Sequence, residues 1–210
     1  ETDPERALAT VAEQMAARFD LAWLPRLGTF DNTYALAVTA ATARERGLAR
    51  ISDLARHPDL RFGFTAEFLA RPDGWPGLRD AYALEPAREP VSMQAGLMYG
   101  AVAAGSVDAI GAYATDGRID KLGLVVLADD RRFFPPYQAA PLLRRATLAR
   151  HPELAAALAR LDRRITDAEM RAMNARVDAA GAELASPASV AREYLTTRGL
   201  LALPPAPAAR

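Results

Sequence analysis

Three tyrosines stand where short apolar segments meet loops, and their chemistry is the most specific in the sequence. Tyr34 lies beside Asn32, Tyr113 opens a polar loop, and Tyr137 follows two prolines. Grouped tyrosine faces suit a quaternary ammonium cation, because such a cation donates no hydrogen bond and is attracted by ring quadrupoles. Arg71 would meet a carboxylate on the same ligand. Together these side chains predict a site for a small quaternary ammonium compound.

Each of these residues also has a simpler interpretation. A tyrosine at the end of a strand is most often half-buried packing, and Arg71 lies in an Arg-Pro-Asp-Gly turn where a surface arginine is equally reasonable. The hypothesis of a ligand site therefore depends on the group. The remaining tyrosines are interpreted as packing residues: Tyr82, Tyr99 and Tyr194.

The composition argues against several classes of protein. Equal numbers of basic and acidic residues, 26 each, give no field that would attract nucleic acid. With no cysteine, thiol catalysis and thiolate metal sites are excluded. His57 and His151 each precede a proline and are interpreted as helix-boundary residues. No nucleophile and base pair, glycine-rich phosphate loop or metal-spaced cluster is visible, so we expect neither a metal nor a cofactor. No apolar stretch approaches the roughly 20 residues of a membrane span.

Hydrophobic spacing predicts the elements that must hold these side chains. An amphipathic helix is predicted over residues 4–19. Strands are predicted over residues 33–39, 61–65, 107–110 and 122–127, and helices over residues 41–46, 52–56, 66–70, 78–82 and 94–104. Ser52 is expected to cap the second of these helices. Strands that alternate with helices indicate an α/β fold with a mostly parallel sheet, and residues 113–118 are expected to form a polar loop at a strand end.

After residue 127 the alternation of predicted strands and helices ends, and mainly helices are predicted. Residues 128–136 are expected to cross between lobes, residues 139–148 to be extended, and residues 152–161, 166–181 and 187–198 to be helical. Thr166 and Glu169 match a capping box, and Ser186 precedes a proline at the first helical position.

Seven motifs, in order and at the expected spacing, resemble those of the glycine betaine and choline type substrate-binding proteins of osmoprotectant ABC transporters. They are residues 32–38 (NTYALAV), 52–54 (SDL), 62–68 (FGFTAEF), 71–74 (RPDG), 96–99 (GLMY), 112–119 (AYATDGRI) and 134–137 (FPPY). The resemblance covers nearly the whole chain from residue 30 to residue 198. It implies the two-lobed type II periplasmic-binding-protein fold, with the ligand clamped between the lobes.

The resemblance also implies roles for particular residues. Tyr34, Tyr113 and Tyr137 correspond to the tyrosines of an aromatic cage, and Arg71 to the arginine that binds the carboxylate. A backbone contact is implied near Asn32, and weaker candidates line the same strand ends: Thr65, Glu67 and Thr115. A buried guanidinium without an anion is costly, so Arg71 favours a zwitterion over choline. The implied partners are the ligand and an ABC permease, at the periplasmic or extracellular face of the cytoplasmic membrane.

The same comparison predicts how the chain is divided. Residues 1–29 are expected to form a helix and crossing segment of the first lobe, residues 30–119 a complete α/β second lobe, and residues 120–203 the return into the first lobe with C-terminal helices. Residues 204–210 form a proline-rich tail. Family members carry a further strand, helix and segment before the first of these regions, so the first lobe is expected to be truncated. A half lobe would leave strand edges open, which makes a homodimer or domain swap an alternative.

Two other classes of function remain open from the sequence. A ligand-sensing domain of a receptor or regulator uses the same fold, although a DNA-binding helix pair and a basic patch are absent from the sequence. An enzyme would need an acid and a base, for which Glu67, Asp108 and Asp116 are candidates. No third group orients these carboxylates, so helix caps and salt bridges are the simpler interpretation.

Overall fold

The computed structural model describes residues 3–178 and 185–201. Within these residues the helices are α1 (Pro4–Phe19), α2 (Ala40–Arg46), a 3-10 helix (Ile51–Arg56), α3 (Ala66–Ala70), α4 (Trp75–Tyr82), α5 (Ala95–Ala103), α6 (Gly117–Lys121), α7 (Arg145–Arg150), α8 (Glu153–Ala159), α9 (Asp167–Val177) and α10 (Pro187–Thr197). The strands are β1 (Leu21–Trp23), β2 (Tyr34–Thr39), β3 (Phe62–Phe64), β4 (Val91–Ser92), β5 (Ala109–Tyr113), β6 (Leu124–Leu127) and β7 (Leu142–Arg144).

Five of the strands form one sheet in the order β4-β3-β5-β2-β6. The β3 strand runs parallel to β4 and β5, whereas β2 runs antiparallel to both of its neighbours, β5 and β6. Four of the five strands therefore run in the same direction, which agrees with the prediction of a mostly parallel sheet, and β2, inserted between β5 and β6, is the exception. Alternating helix and strand signals do not reveal such an insertion.

The core lies on both faces of this sheet. Successive residues of β2 point to opposite faces, so Leu36 and Val38 join one hydrophobic cluster and Ala37 joins the other. The 3-10 helix and α4 cover the first face, and α5 covers the second with Met98 and Val102. A sheet buried on both faces is typical of α/β proteins, and the predicted α/β fold class is confirmed.

The other two strands, β1 and β7, form a separate antiparallel pair. Nearby, the buried side chain of Arg26 donates to Glu5 of α1 and to Gln138, which precedes β7. These bonds connect the N-terminal helix with residues more than a hundred positions later. The division of the chain into two lobes stays a prediction.

Local signals located several elements accurately. The α1 and α3 helices have the predicted bounds, Thr166 and Glu169 form the expected capping box, and the Ser186 hydroxyl accepts from the Ser189 amide at the start of α10. His57 and His151 end the 3-10 helix and α7, which confirms them as helix-boundary residues.

Four local predictions need correction. The helical segment predicted over residues 52–56 is a 3-10 helix capped not by Ser52 but by Asp53, whose carboxylate accepts from the Ala49 and Arg50 amides. Those bonds lower the pKa of Asp53 to about 2, so the cap stays charged at neutral pH. The β5 strand begins and ends later than predicted, and Tyr113 is its last residue rather than part of a loop. The α6 helix starts inside the predicted polar loop.

The fourth correction concerns the run over residues 139–148, which was expected to be extended. Within this run residues 142–144 form β7, and α7 begins directly after it at Arg145, so the extended segment is shorter than predicted. The helix predicted over residues 166–181 is α9, which ends at Val177. The rest of that prediction and the proline-rich tail lie partly or wholly outside the described residues.

Candidate ligand-binding site

Tyr34 and Tyr113 meet at one edge of the five-stranded sheet. Tyr34 is the first residue of β2 and Tyr113 the last of β5, and the antiparallel register places them directly opposite each other. Directly opposed residues share a face of the sheet. Their rings stack with centroids 5.1 Å apart and planes inclined by 29°. Two strands far apart in sequence thus bring two of the predicted tyrosines together.

Two phenylalanines lie behind this pair. The Tyr34 ring centroid is 4.9 Å from that of Phe68 in α3 and 6.1 Å from that of Phe134. Both phenylalanines are buried, while Tyr113 is 37% exposed. We refer to Tyr34, Phe68, Tyr113 and Phe134 as the aromatic cluster. Sequence reasoning did not assign Phe68 and Phe134 to the site, although both lie in motifs that carried the family resemblance.

Arg71 follows α3 directly and is held by two carboxylates. Its Nε donates to Asp73 Oδ1 over 2.8 Å and its Nη2 to Asp73 Oδ2 over 2.7 Å, while Nη1 makes a longer 3.4 Å contact with Glu67 Oε1. The side chain is 40% exposed. The expectation of a buried guanidinium in need of an anion was therefore wrong, because Arg71 is partly solvated and already paired. Asp73 was missed since its place in a Pro-Asp-Gly sequence is explained by the turn alone.

Arg71 and the nearby tyrosines affect each other's pKa values. Burial raises the pKa of Tyr34 well above its ordinary value; the Tyr113 hydroxyl and the Glu67 charge act in the same direction, and the Arg71 charge opposes them. The bond to Asp73 raises the pKa of Arg71, and Tyr137 and Tyr34 add smaller contributions of the same sign. At neutral pH the Tyr34 phenol is therefore protonated and Arg71 is a cation.

Tyr137 reaches the same region through backbone pairing. The Asn32 amide donates to the Tyr137 carbonyl over 3.4 Å, and the Tyr137 amide donates to Asp31 Oδ1 over 2.7 Å. Tyr137 is 42% exposed. Because Asn32 is two residues before Tyr34, this pairing holds Tyr137 beside the start of β2.

The hydroxyls of the two predicted threonines have partners within the protein. Thr65 caps α3, where its Oγ1 accepts from the Phe68 amide over 3.2 Å. Thr115 is only 4% exposed and donates from Oγ1 to Asn32 Oδ1 over 2.6 Å. Thr65 lines a shallow recess with Tyr34, Phe68, Met98, Gly111, Ala112 and Tyr113, whereas the Thr115 side chain lies beneath the surface and orients Asn32.

The candidate acids and bases are engaged in structural roles. Both oxygens of Asp108 accept from Arg61, and this bond lowers the pKa of Asp108. Asp116 caps α6 and forms an ion pair with Arg118. Within residues 3–178 and 185–201, no group of three or more histidine, aspartate and glutamate side chains could hold a metal ion.

The neighbouring ends of β2 and β5 thus carry a stacked pair of tyrosines on an α/β sheet. The chain belongs to the OpuAC family, the substrate-binding domain of ABC-type glycine betaine transport systems, whose model matches residues 5–197. This is a family of binding proteins and not of enzymes. Among the described residues, each helix is too short or too polar to cross a membrane.

Individual relatives agree with this assignment. The carnitine transport binding protein OpuCC of Listeria monocytogenes is 36% identical over 195 residues, which cover 92% of this chain and 62% of the relative. The glycine-betaine-binding protein of Pseudomonas aeruginosa is 38% identical over 192 residues, which cover 86% of this chain and 60% of the relative. The chain thus spans about three fifths of the length of these curated relatives.

A solved structure described as a glycine betaine/carnitine/choline ABC transporter matches with a TM-score of 0.86 at 36% identity. The match covers 94% of this chain and 71% of that one. The α/β fold is therefore that of type II periplasmic binding proteins over most of the chain.

Proposed function

We propose that this chain binds a small quaternary ammonium compound on the faces of Tyr34 and Tyr113, as the substrate-binding component of an ABC importer. The stacked pair carries the proposal, because Tyr113, its outer member, is more than a third exposed. An exposed aromatic face at a strand end is available to a ligand, and a quaternary cation is attracted to such a face without needing a hydrogen bond.

Tyr137 supplies a third face in this proposal. Tyr137 is 42% exposed, and its backbone is hydrogen-bonded to that of Asn32. The backbone near Asn32 contacts the ligand, and Thr115 keeps that residue in place through its hydroxyl. Thr65 lines the recess below the tyrosines. The positions of these residues beside the tyrosines and the family to which the chain belongs support these proposed roles.

Arg71 gives the site a preference among quaternary ammonium compounds. Glycine betaine and carnitine carry a carboxylate that a guanidinium recognises, whereas choline carries none. Arg71 remains charged beside Tyr34 and Tyr137. Glu67 lies 3.4 Å from Nη1 and opposes the approach of an anion. We therefore infer that zwitterions and choline both bind, and that the groups around Arg71 set the relative affinities for the two.

The wider role follows from family membership. We propose that two lobes close around the ligand and that the complex delivers it to a membrane permease, at the periplasmic or extracellular face of the cytoplasmic membrane. A homodimer or domain swap stays a prediction, and size-exclusion chromatography with light scattering tests it. A folded monomer in that experiment would count against it.

Isothermal titration calorimetry against choline and its neutral carbon isostere, 3,3-dimethylbutan-1-ol, tests the proposed function. The two compounds have nearly the same shape and differ in the positive charge. We expect saturable binding of choline and binding at least about tenfold weaker for the isostere, because only the cation gains from the ring quadrupoles. Equal affinity for both compounds, or binding of neither choline nor glycine betaine, would contradict the proposal.

A further inference from the structure

The two carboxylates beside Arg71 occupy different edges of its guanidinium. Asp73 accepts from Nε and Nη2, over 2.8 and 2.7 Å, and so takes the side edge with a bidentate geometry. A guanidinium has five N–H groups in a fixed fork. The terminal edge, formed by Nη1 and the second hydrogen of Nη2, is therefore left to face another acceptor.

The loop that carries Asp73 is itself held in place. The Gly74 amide donates to the Arg71 carbonyl over 3.0 Å, which closes a turn over residues 71–74. A side chain at position 74 would collide with the Phe68 carbonyl at the end of α3. The turn that carries Asp73 thus packs against the same end of α3 as Phe68 of the aromatic cluster.

We propose that Asp73 is a positioning residue for recognition of the ligand carboxylate, an inference that rests on the proposed function. By holding the side edge of the guanidinium, Asp73 directs the terminal edge of Arg71 toward the carboxylate of a ligand whose cation lies on the tyrosine faces. Two bonds made before the ligand arrives reduce the rotamer freedom that Arg71 would otherwise lose on binding.

Glu67 stands in a different relation to the same cation. It makes a single contact of 3.4 Å, to Nη1 of the terminal edge, and its side chain is 63% exposed. A ligand carboxylate that approaches the terminal edge meets Glu67 as a competitor of like charge. The two carboxylates beside Arg71 therefore have opposite effects on the binding of an anion.

Two variants with the same change of charge separate positioning from simple electrostatics. Asp73→Asn and Glu67→Gln each remove one negative charge next to Arg71, so charge alone would shift both toward glycine betaine and away from choline. Calorimetry on the full chain would give the ratio of the Kd values for the two ligands. We expect Asp73→Asn to shift this ratio about tenfold toward choline, and Glu67→Gln to shift it toward glycine betaine by about twofold to threefold.

The choline affinity of each variant reports whether the site is still folded, and circular dichroism melting gives an independent check. A shift of both variants toward glycine betaine would overturn the inference, since Asp73 would then act only through its charge. An equal loss of both ligands in Asp73→Asn would also overturn it, because Asp73 would then support the fold and not the carboxylate. If the unaltered chain binds neither ligand, the proposed function fails and this inference fails with it.

Discussion

Replacing Tyr113 by leucine is expected to weaken the binding of choline and of glycine betaine by about 5- to 30-fold. The change keeps an apolar side chain at the end of β5 but removes the exposed ring that stacks on Tyr34 at 5.1 Å. A desolvated contact between a cation and an aromatic face contributes about 1–2 kcal/mol, which corresponds to that range. Isothermal titration calorimetry with both ligands measures the effect.

Two further substitutions control this experiment. Tyr113→Phe retains the ring and is expected to bind within about threefold of the unaltered chain. Phe19 is 61% exposed at the end of α1, outside the aromatic cluster, and Phe19→Leu is expected to leave both affinities unchanged. Unchanged binding by Tyr113→Leu would show that the ligand does not lie on this ring.

Replacing Gly117 by alanine is expected to destabilise the fold strongly. Gly117 begins α6, and a β-carbon built on it would lie 2.7 Å from the Ala175 β-carbon and closer still to the Ala175 backbone in α9. The clash is with backbone and cannot be relieved by rotating a side chain. We expect the free energy of unfolding to fall by about 3 kcal/mol, the upper range for overpacking.

Gly100→Ala is the matched control for this change. Gly100 lies inside α5, and an added β-carbon there would have nothing within 4 Å. Alanine at an open helical position is expected to raise the free energy of unfolding by about 0.5–1 kcal/mol. Urea denaturation followed by circular dichroism compares the two variants. Equal stability of Gly117→Ala and the unaltered chain would mean that α6 and α9 do not approach as closely as this.

The sequence was informative about the site because several of its residues lie within a few positions of each other or at a strand end. The relation between Tyr34 and Tyr113 depends on more than local pattern. Parallel pairing of β2 and β5 would have put these tyrosines at opposite edges, since one begins its strand and the other ends its strand. The antiparallel pairing that brings them together involves β2, which runs opposite to the other four strands of its sheet, and the alternation of helices and strands does not reveal that reversal.

Residues that already have a local structural explanation were the hardest to assign to the site from the sequence. Asp73 has a sufficient explanation as a turn residue, so its bidentate bond to Arg71 could not be inferred from spacing. Phe68 fits the ordinary apolar pattern of a core helix, and its contact with Tyr34 requires the packing of α3 against the sheet. Long-range packing of this kind leaves no signature in one sequence.

Helix capping shows the same limit at shorter range. Thr166 and Glu169 satisfy each other within four residues, so the sequence alone predicted their capping box. At the 3-10 helix the sequence suggested the Ser52 hydroxyl as the cap. The Asp53 carboxylate fills that role instead, because it accepts hydrogen bonds from two backbone amides. A charged acceptor forms stronger hydrogen bonds than a hydroxyl, but the sequence pattern alone does not show which of the two residues caps the helix.

The most direct measurement is a crystal structure of the chain grown with glycine betaine. We expect the trimethylammonium group within about 6 Å of the ring centroids of Tyr34 and Tyr113, with Tyr137 alongside. We also expect the ligand carboxylate on the terminal edge of Arg71, with the Asp73 bonds retained. Glycine betaine bound elsewhere on the chain, or bound at the tyrosines with its carboxylate turned away from Arg71, would contradict the proposed site.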